Sequence, residues 1–78
     1  MRRVYLVELL AGNHSVSNAL ARFLEGTFDV HVLSVDSDPT TNASVVADIN
    51  QWHYERDLGE FLKRKRAKDI VFVYAPHP

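Results

Sequence analysis

The chain has 78 residues, of which 46% are hydrophobic and 24% charged, and its formal net charge is −1 at pH 7. A sequence of this length forms one domain, 1–78, at most, and its near-neutral charge gives no reason to expect a nucleic-acid-binding protein. The lack of cysteine excludes disulfides, cysteine metal sites and a thiol nucleophile. No apolar stretch approaches the roughly 20 residues that span a membrane, so we expect a cytoplasmic protein with no membrane partner.

The first half of the sequence predicts a strand, a helix and a second strand. Residues 2–10, RRVYLVELL, form a nearly continuous apolar run that is typical of a strand buried on both faces. Residues 15–26 repeat apolar side chains at helical spacing, with Ser15 suited to the N-cap and Gly26 to the C-terminal stop. Residues 29–36, DVHVLSVD, predict the second strand.

The second half predicts a strand, a helix and a final strand. A loop at 37–43 is dense in turn-forming residues and leads to a short third strand at 44–48. Residues 51–68 predict a second helix, although Gly59 within it disfavours the helix by about 1 kcal/mol relative to alanine. Residues 69–75, DIVFVYA, predict the fourth strand.

The order of elements, β-α-β-β-α-β, with continuous apolar strands, predicts an α/β fold with a half-Rossmann-like parallel sheet. Right-handed crossovers place the two helices on opposite faces, which leaves apolar sheet uncovered. The fourth strand forms an uncharged apolar edge that can pair with another chain. We therefore expect a homodimer that completes the sheet through this edge or by exchange of elements. The alternative is a fragment of a larger domain that behaves poorly alone.

Carboxylates follow three of the predicted strands. Glu8, Asp36 and Asp48 each lie near a strand's carboxyl end, and Asp38 follows two residues after Asp36. In a parallel sheet these ends share one edge, where α/β proteins bind ligands, and a carboxylate after the second strand suits the two hydroxyls of a ribose. The alternative is that the acids cap helices or solubilise loops. A single glycine, Gly12, is not a dinucleotide-binding pattern, and suits a ligand without phosphates.

Four segments then resemble a known family in the right order. They are VELLAGNHSVSNAL (7–20), VLSVDSDP (32–39), VVADINQW (45–52) and DIVFVYAPHP (69–78). Together they resemble the first half of a class I S-adenosylmethionine-dependent methyltransferase, and within that class the phage and viral DNA cytosine-methyltransferase-like proteins. The resemblance covers nearly the whole chain. Each motif alone is of modest specificity, and the four in sequence are more specific.

The resemblance implies S-adenosylmethionine as cofactor and assigns its contacts. Glu8 and the Ala11–Ser15 loop would face the methionine part, Asp36 would hold the ribose hydroxyls and Ser37 would lie beside the adenine. Asp48 would take the adenine amino group, and the Ile49 backbone a ring nitrogen. The implied cofactor residues are Glu8, Ala11, Gly12, Asn13, His14, Ser15, Asp36, Ser37, Asp48 and Ile49.

The chain also departs from the family pattern. Leu10 stands where an aromatic residue is usual, Asn13 and His14 replace the second glycine region, and APHP replaces the family's Pro-Pro-Cys motif. The cysteine that attacks cytosine is therefore missing, and we assign no catalytic residue. Whether the chain takes part in methylation at all is left open, because another chain could supply the missing strands and chemistry.

The remaining polar clusters have ordinary interpretations. The basic run Lys63–Lys68 suits the solvated end of a helix, and the alternative is contact with a nucleic-acid backbone. No two histidines have a helical metal-binding spacing, so we predict no metal site. Trp52 and Tyr54 are interpreted as packing residues.

Two functions from different classes follow. The first is a half-domain that binds S-adenosylmethionine or a related adenosine and is not catalytic alone. The second is a ligand-free structural or interaction module, a truncated or engineered half-Rossmann fold that self-assembles. Adenosine ligands that stabilise the fold, with loss of that effect in Asp36→Ala, would favour the first.

Overall fold

The structure is a computed structural model that describes residues 2–12 and 14–75. Its elements follow the predicted order: β1 (Arg3–Leu9), α1 (Ser15–Leu24), β2 (Asp29–Asp36), a 3₁₀ turn (Pro39–Thr41), β3 (Val45–Val46), α2 (Tyr54–Leu62) and β4 (Ile70–Tyr74).

The four strands form one parallel sheet in the order β3-β2-β1-β4. The chain therefore builds the sheet outward from β1 in one direction and then returns to add β4 on the other side. This arrangement confirms the predicted α/β, half-Rossmann-like fold class. In such sheets ligands bind at the carboxyl ends of the strands where the order reverses, which here is the end of β1.

The two helices cover opposite faces of the sheet, as right-handed crossovers require. Glu8 of β1 contacts Ser17 of α1 on one face. Tyr5, whose side chain points the other way from β1, packs edge-on against Phe61 of α2 with ring centroids 5.5 Å apart. Strand residues alternate between faces, so each helix contacts one alternate set.

The core lies around β1, the second strand from one edge. Residues 4–8 are all buried, and Leu6 is completely inaccessible. On the α2 face, Leu33 and Val35 of β2 pack with the indole of Trp52. The prediction that Trp52 is a packing residue is confirmed, whereas Tyr54 is more than half exposed and does not pack into this core.

The second helix is shorter than the predicted 51–68. Before it, Asp48 accepts the backbone N–H of Asn50 in a tight turn, and the Trp52 indole donates to Asp57 at 2.7 Å. These contacts hold Trp52 outside the helix. After it, the buried Asp69 carboxylate accepts the N–H of Arg66, which turns the chain toward β4. The whole basic run, 63–68, thus follows α2 instead of forming its last turns.

Smaller boundary predictions were also wrong. The third strand has two residues instead of the five at 44–48. His14, and not Ser15, occupies the N-cap position of α1. Gly26 ends the helix as predicted, since its φ of +85° is a conformation that suits glycine.

The far edge of the sheet is apolar and open. Ile70, Val71, Phe72 and Val73 of β4 are 38–58% exposed, and they include side chains from both faces. Over the described residues, neither helix is long and apolar enough to cross a membrane.

Replacement by alanine should have opposite effects on stability at the two exposed glycines that lie outside the β1–α1 loop, Gly26 and Gly59. Gly59 lies inside α2 with open space around its Cα, so Gly59→Ala should raise the free energy of unfolding by about 1 kcal/mol. Gly26→Ala should lower it by about 1 kcal/mol, because φ is +85° there. Urea unfolding followed by Trp52 fluorescence measures both, and shifts of the same sign would contradict this account.

Candidate functional site

The carboxylate of Glu8 forms the buried base of the site. Its side chain is only 2% exposed, and its Oε2 accepts the backbone N–H of Ser17 at 2.8 Å. The Ser17 hydroxyl donates to Oε1 at 3.2 Å. Ser17 lies in the first turn of α1, where backbone N–H groups have no partner within the helix. A strand carboxylate therefore caps the helix, and the helix dipole favours its negative charge.

His14 joins this base to the loop after β2. Its Nδ1 lies 3.5 Å from Oε1 of Glu8, and its Nε2 contacts the backbone carbonyl of Thr41. His14 therefore links the start of α1 to the 3₁₀ turn.

The loop between β1 and α1 has an unusual backbone. Leu10, Gly12 and His14 have φ values of 55°, 54° and 61°. Glycine adopts this left-handed conformation without strain, which accounts for Gly12, whereas a leucine there is unfavourable by about 1–2 kcal/mol. The fold holds the loop in place through the Ala11 N–H, which donates to the Val35 carbonyl at 3.1 Å.

Asp36 connects the β1–α1 loop to the loop that follows β2. Its Oδ2 accepts the N–H of Gly12 and its Oδ1 accepts the N–H of Asp38, each at 2.9 Å. The Asp38 N–H first, and the Gly12 N–H next, lower the pKa of the Asp36 carboxyl below its usual value. Each oxygen keeps capacity for a further hydrogen bond, and the side chain is half-exposed. Asp36 can therefore order the loop and still accept hydroxyl groups from a ligand.

The third predicted carboxylate lies further along the same edge. Asp48 follows two residues after Val46, which is in register with Asp36. It is exposed, and its Oδ1 accepts the Asn50 N–H at 2.9 Å. Ile49, beside it, is half-exposed, and Ser37 is exposed in the bend after β2.

The structure thus brings most of the predicted cofactor residues to the carboxyl edge of the sheet. Glu8 and Ala11 lie buried beneath it, Gly12 and Asp36 meet at its surface, and Ser15 is exposed at the start of α1. Asn13 lies outside the described residues, as does the Pro76–Pro78 end of the APHP segment.

The sequence did not predict a polar groove that lies beside the β1–α1 loop. It has a volume of about 350 Å³ and runs over β2 between α1 and the 42–44 segment, lined by His14, Ser17, Asn18, Ala21, Val32, Ser34, Asn42 and Ser44. The Ser34 and Ser44 hydroxyls lie 3.1 Å apart across its floor. A signal was present, because Ser34 interrupts the apolar run of β2.

The other polar clusters have structural partners. Lys63 of the basic run pairs with Glu60, and Arg66 interacts with Asp69. His31 pairs with Asp29 and stacks on the ring of Tyr5. Within the described residues, no group of three His, Asp or Glu side chains could hold a metal ion.

The chain matches no protein-family model, no curated protein and no solved structure at a significant level. The methyltransferase resemblance therefore stays a prediction from the sequence motifs.

Removing the charge of the buried carboxylate tests its role in the fold. Glu8→Gln should lower the free energy of unfolding by about 2–3 kcal/mol, because the amide presents N–H groups to donors that the carboxylate satisfied. Glu55→Gln, an exposed change in the first turn of α2, is the matched control. It should change the free energy of unfolding by less than about 1 kcal/mol. Equal effects in a urea titration would contradict the capping role.

Asp36 should make stability depend on pH. Its folded pKa lies below its unfolded value, so its stabilising effect is present at neutral pH and is lost as pH falls through the folded pKa. The excess stability of the wild type over Asp36→Asn should therefore shrink below the ordinary aspartate pKa of about 3.9. Unfolding curves of both proteins from neutral to acidic pH measure this difference. A difference that does not change with pH would contradict the assignment.

Proposed function

We propose that the corner between the β1–α1 loop and the end of β2 binds S-adenosylmethionine or a related adenosine, in a half-domain that is not catalytic alone. The observation that carries the proposal is the bridge from Asp36 to the Gly12 N–H at 2.9 Å. It holds the glycine loop against a carboxylate that still has hydrogen-bonding capacity, at the edge where the strand order reverses.

The charge of this edge supports a ligand without phosphates. Asp36 and Asp38 lie beside the β1–α1 loop. Asp38 accepts hydrogen bonds from the backbone N–H and the hydroxyl of Thr40. Ionised carboxylates this close to the site repel a phosphate. S-adenosylmethionine instead offers ribose hydroxyls, an ammonium group and a positive sulfonium, which a carboxylate-rich corner favours.

The strained loop also supports a binding role. Leu10 has a positive φ that nothing in its side chain favours, and it lies between β1 and Gly12. Strained backbone of this kind is concentrated at ligand-binding sites, where the surrounding fold holds it in place. We propose that the loop is shaped for the methionine part of the ligand, and that the protein acts in the cytoplasm.

The second candidate is a self-assembling module without a ligand. The exposed apolar β4 favours it, because an uncovered edge strand pairs readily with another chain. A third arrangement, in which another chain completes a methyltransferase, would also use this edge. Ligand binding separates the first candidate from the second.

Amide NMR of the protein titrated with S-adenosylmethionine and S-adenosylhomocysteine tests the proposal. We expect saturable shifts at Gly12, Asp36 and Ile49, lost in Asp36→Ala. Asp38→Ala is the matched control, because it keeps the backbone N–H that donates to Asp36, and it should still bind. ATP should bind far more weakly because of its phosphates. No shifts at about millimolar ligand, in a folded protein, would overturn the proposal and leave the self-assembling module.

A further inference from the structure

The β4 strand is an uncovered edge. It pairs with β1 on one side, and no strand among residues 2–12 and 14–75 lies on the other. Its outward backbone N–H and C=O groups are therefore available to pair with another strand. Its side chains are apolar on both faces, with Phe72 at 47% and Val73 at 58% exposure. The opposite edge, β3, is only two residues long and offers much less backbone for pairing.

Apolar side chains are also exposed on α1, which covers one face of the sheet. Asn18 and Ala21 line the groove over β2, and Ser17 points to Glu8. Helical geometry then turns the opposite side of α1, with Leu20 and Phe23, toward β4. Phe23 is 84% exposed there. Large exposed apolar side chains on a helix and on an edge strand are typical of an interaction surface.

Charge is segregated between the two ends of the sheet. Strand and helix directions place eight of the nine basic residues at the amino edge: Arg2, Arg3, Arg22, Lys63, Arg64, Lys65, Arg66 and Lys68. Six of the ten acids lie at the carboxyl edge: Glu8, Asp36, Asp38, Asp48, Glu55 and Asp57. With the remaining charged residues counted, the amino edge is net positive and the carboxyl edge net negative.

We propose that two copies of the chain join through β4 in antiparallel orientation, about a two-fold axis at Phe72, to form a continuous eight-stranded sheet. Identical edges related by a two-fold axis pair as antiparallel strands, in which alternate residues exchange both backbone hydrogen bonds with the residue opposite. Centring the axis on Phe72 aligns all five residues of Ile70–Tyr74. Val71 then lies opposite Val73 of the second copy.

Charge complementarity selects the second copy as the occupant of this edge. Antiparallel pairing sets the positive amino edge of each copy beside the negative carboxyl edge of the other, whereas parallel alignment would bring like charges together. The edge thus combines exposed apolar side chains with a charge distribution that complements itself. The inference does not rest on cofactor binding, since β4 lies two strands away from Asp36.

A matched pair of valine substitutions tests the interface. Val73 on β4 and Val46 on β3 are exposed to similar extents, 58% and 54%. Sedimentation equilibrium up to about 100 µM should give a wild-type dimer, a Val73→Lys variant that dissociates at least about tenfold more readily, and an unchanged Val46→Lys dimer. A monomeric wild type, or equal weakening by the two lysines, would overturn the proposal. Circular dichroism checks that each variant is folded.

Single-cysteine variants test orientation and register, because the chain has no native cysteine. In the proposed pairing, two Phe72→Cys copies oppose each other with Cα atoms about 4.5–5.5 Å apart, which a disulfide spans. Two Val71→Cys copies lie diagonally at about 8 Å, beyond that reach, so they should crosslink only when mixed with Val73→Cys. Efficient crosslinking of Val71→Cys alone, or none by Phe72→Cys, would overturn this geometry. Pairing of the wild type only with a different protein would also overturn it.

Discussion

The buried carboxylate of Glu8 is the interaction on which the rest of this corner depends. A charge with 2% exposure is tolerated only when it is fully hydrogen-bonded, and here Ser17 supplies both a backbone and a hydroxyl donor while His14 lies alongside. These contacts fix where α1 begins relative to β1. They leave the chain only a short loop to cross the gap, which imposes the left-handed backbone at Leu10 and Gly12. The Gly12 N–H then reaches Asp36, so the second loop is positioned from the first.

Two carboxylates that look alike in the sequence therefore have different tasks. Glu8 and Asp36 each follow an apolar run, and the sequence assigns both to a ligand. In the fold, each oxygen of both carboxylates accepts a hydrogen bond, but Glu8 is buried beneath α1 whereas Asp36 is half-exposed. Burial separates the two residues. Glu8 positions the start of α1, and Asp36 is accessible from solvent.

The fold class was predictable because continuous apolar strands alternating with amphipathic helices admit few arrangements. The bounds of β2, 29–36, were predicted correctly, since local patterning determines them. The features that the sequence did not predict depend on tertiary contacts. Trp52 lies outside α2 because its indole packs in the core and donates a hydrogen bond to Asp57. After α2, Asp69 accepts the Arg66 N–H, which turns the chain toward β4. No local pattern reveals a positive φ at Leu10.

The same reversal of strand order that places two loops beside the end of β1 also creates the open edge. Returning to place β4 beside β1 leaves the end of β1 flanked by two loops, and it leaves β4 without a neighbour on its outer side. Two helices cannot cover both faces of four strands, so exposed apolar surface is concentrated at the last strand added. With strands about 4.8 Å apart, Asp36 lies roughly 10 Å from β4. The proposed assembly at β4 would therefore leave the proposed binding corner accessible, and either property can exist without the other.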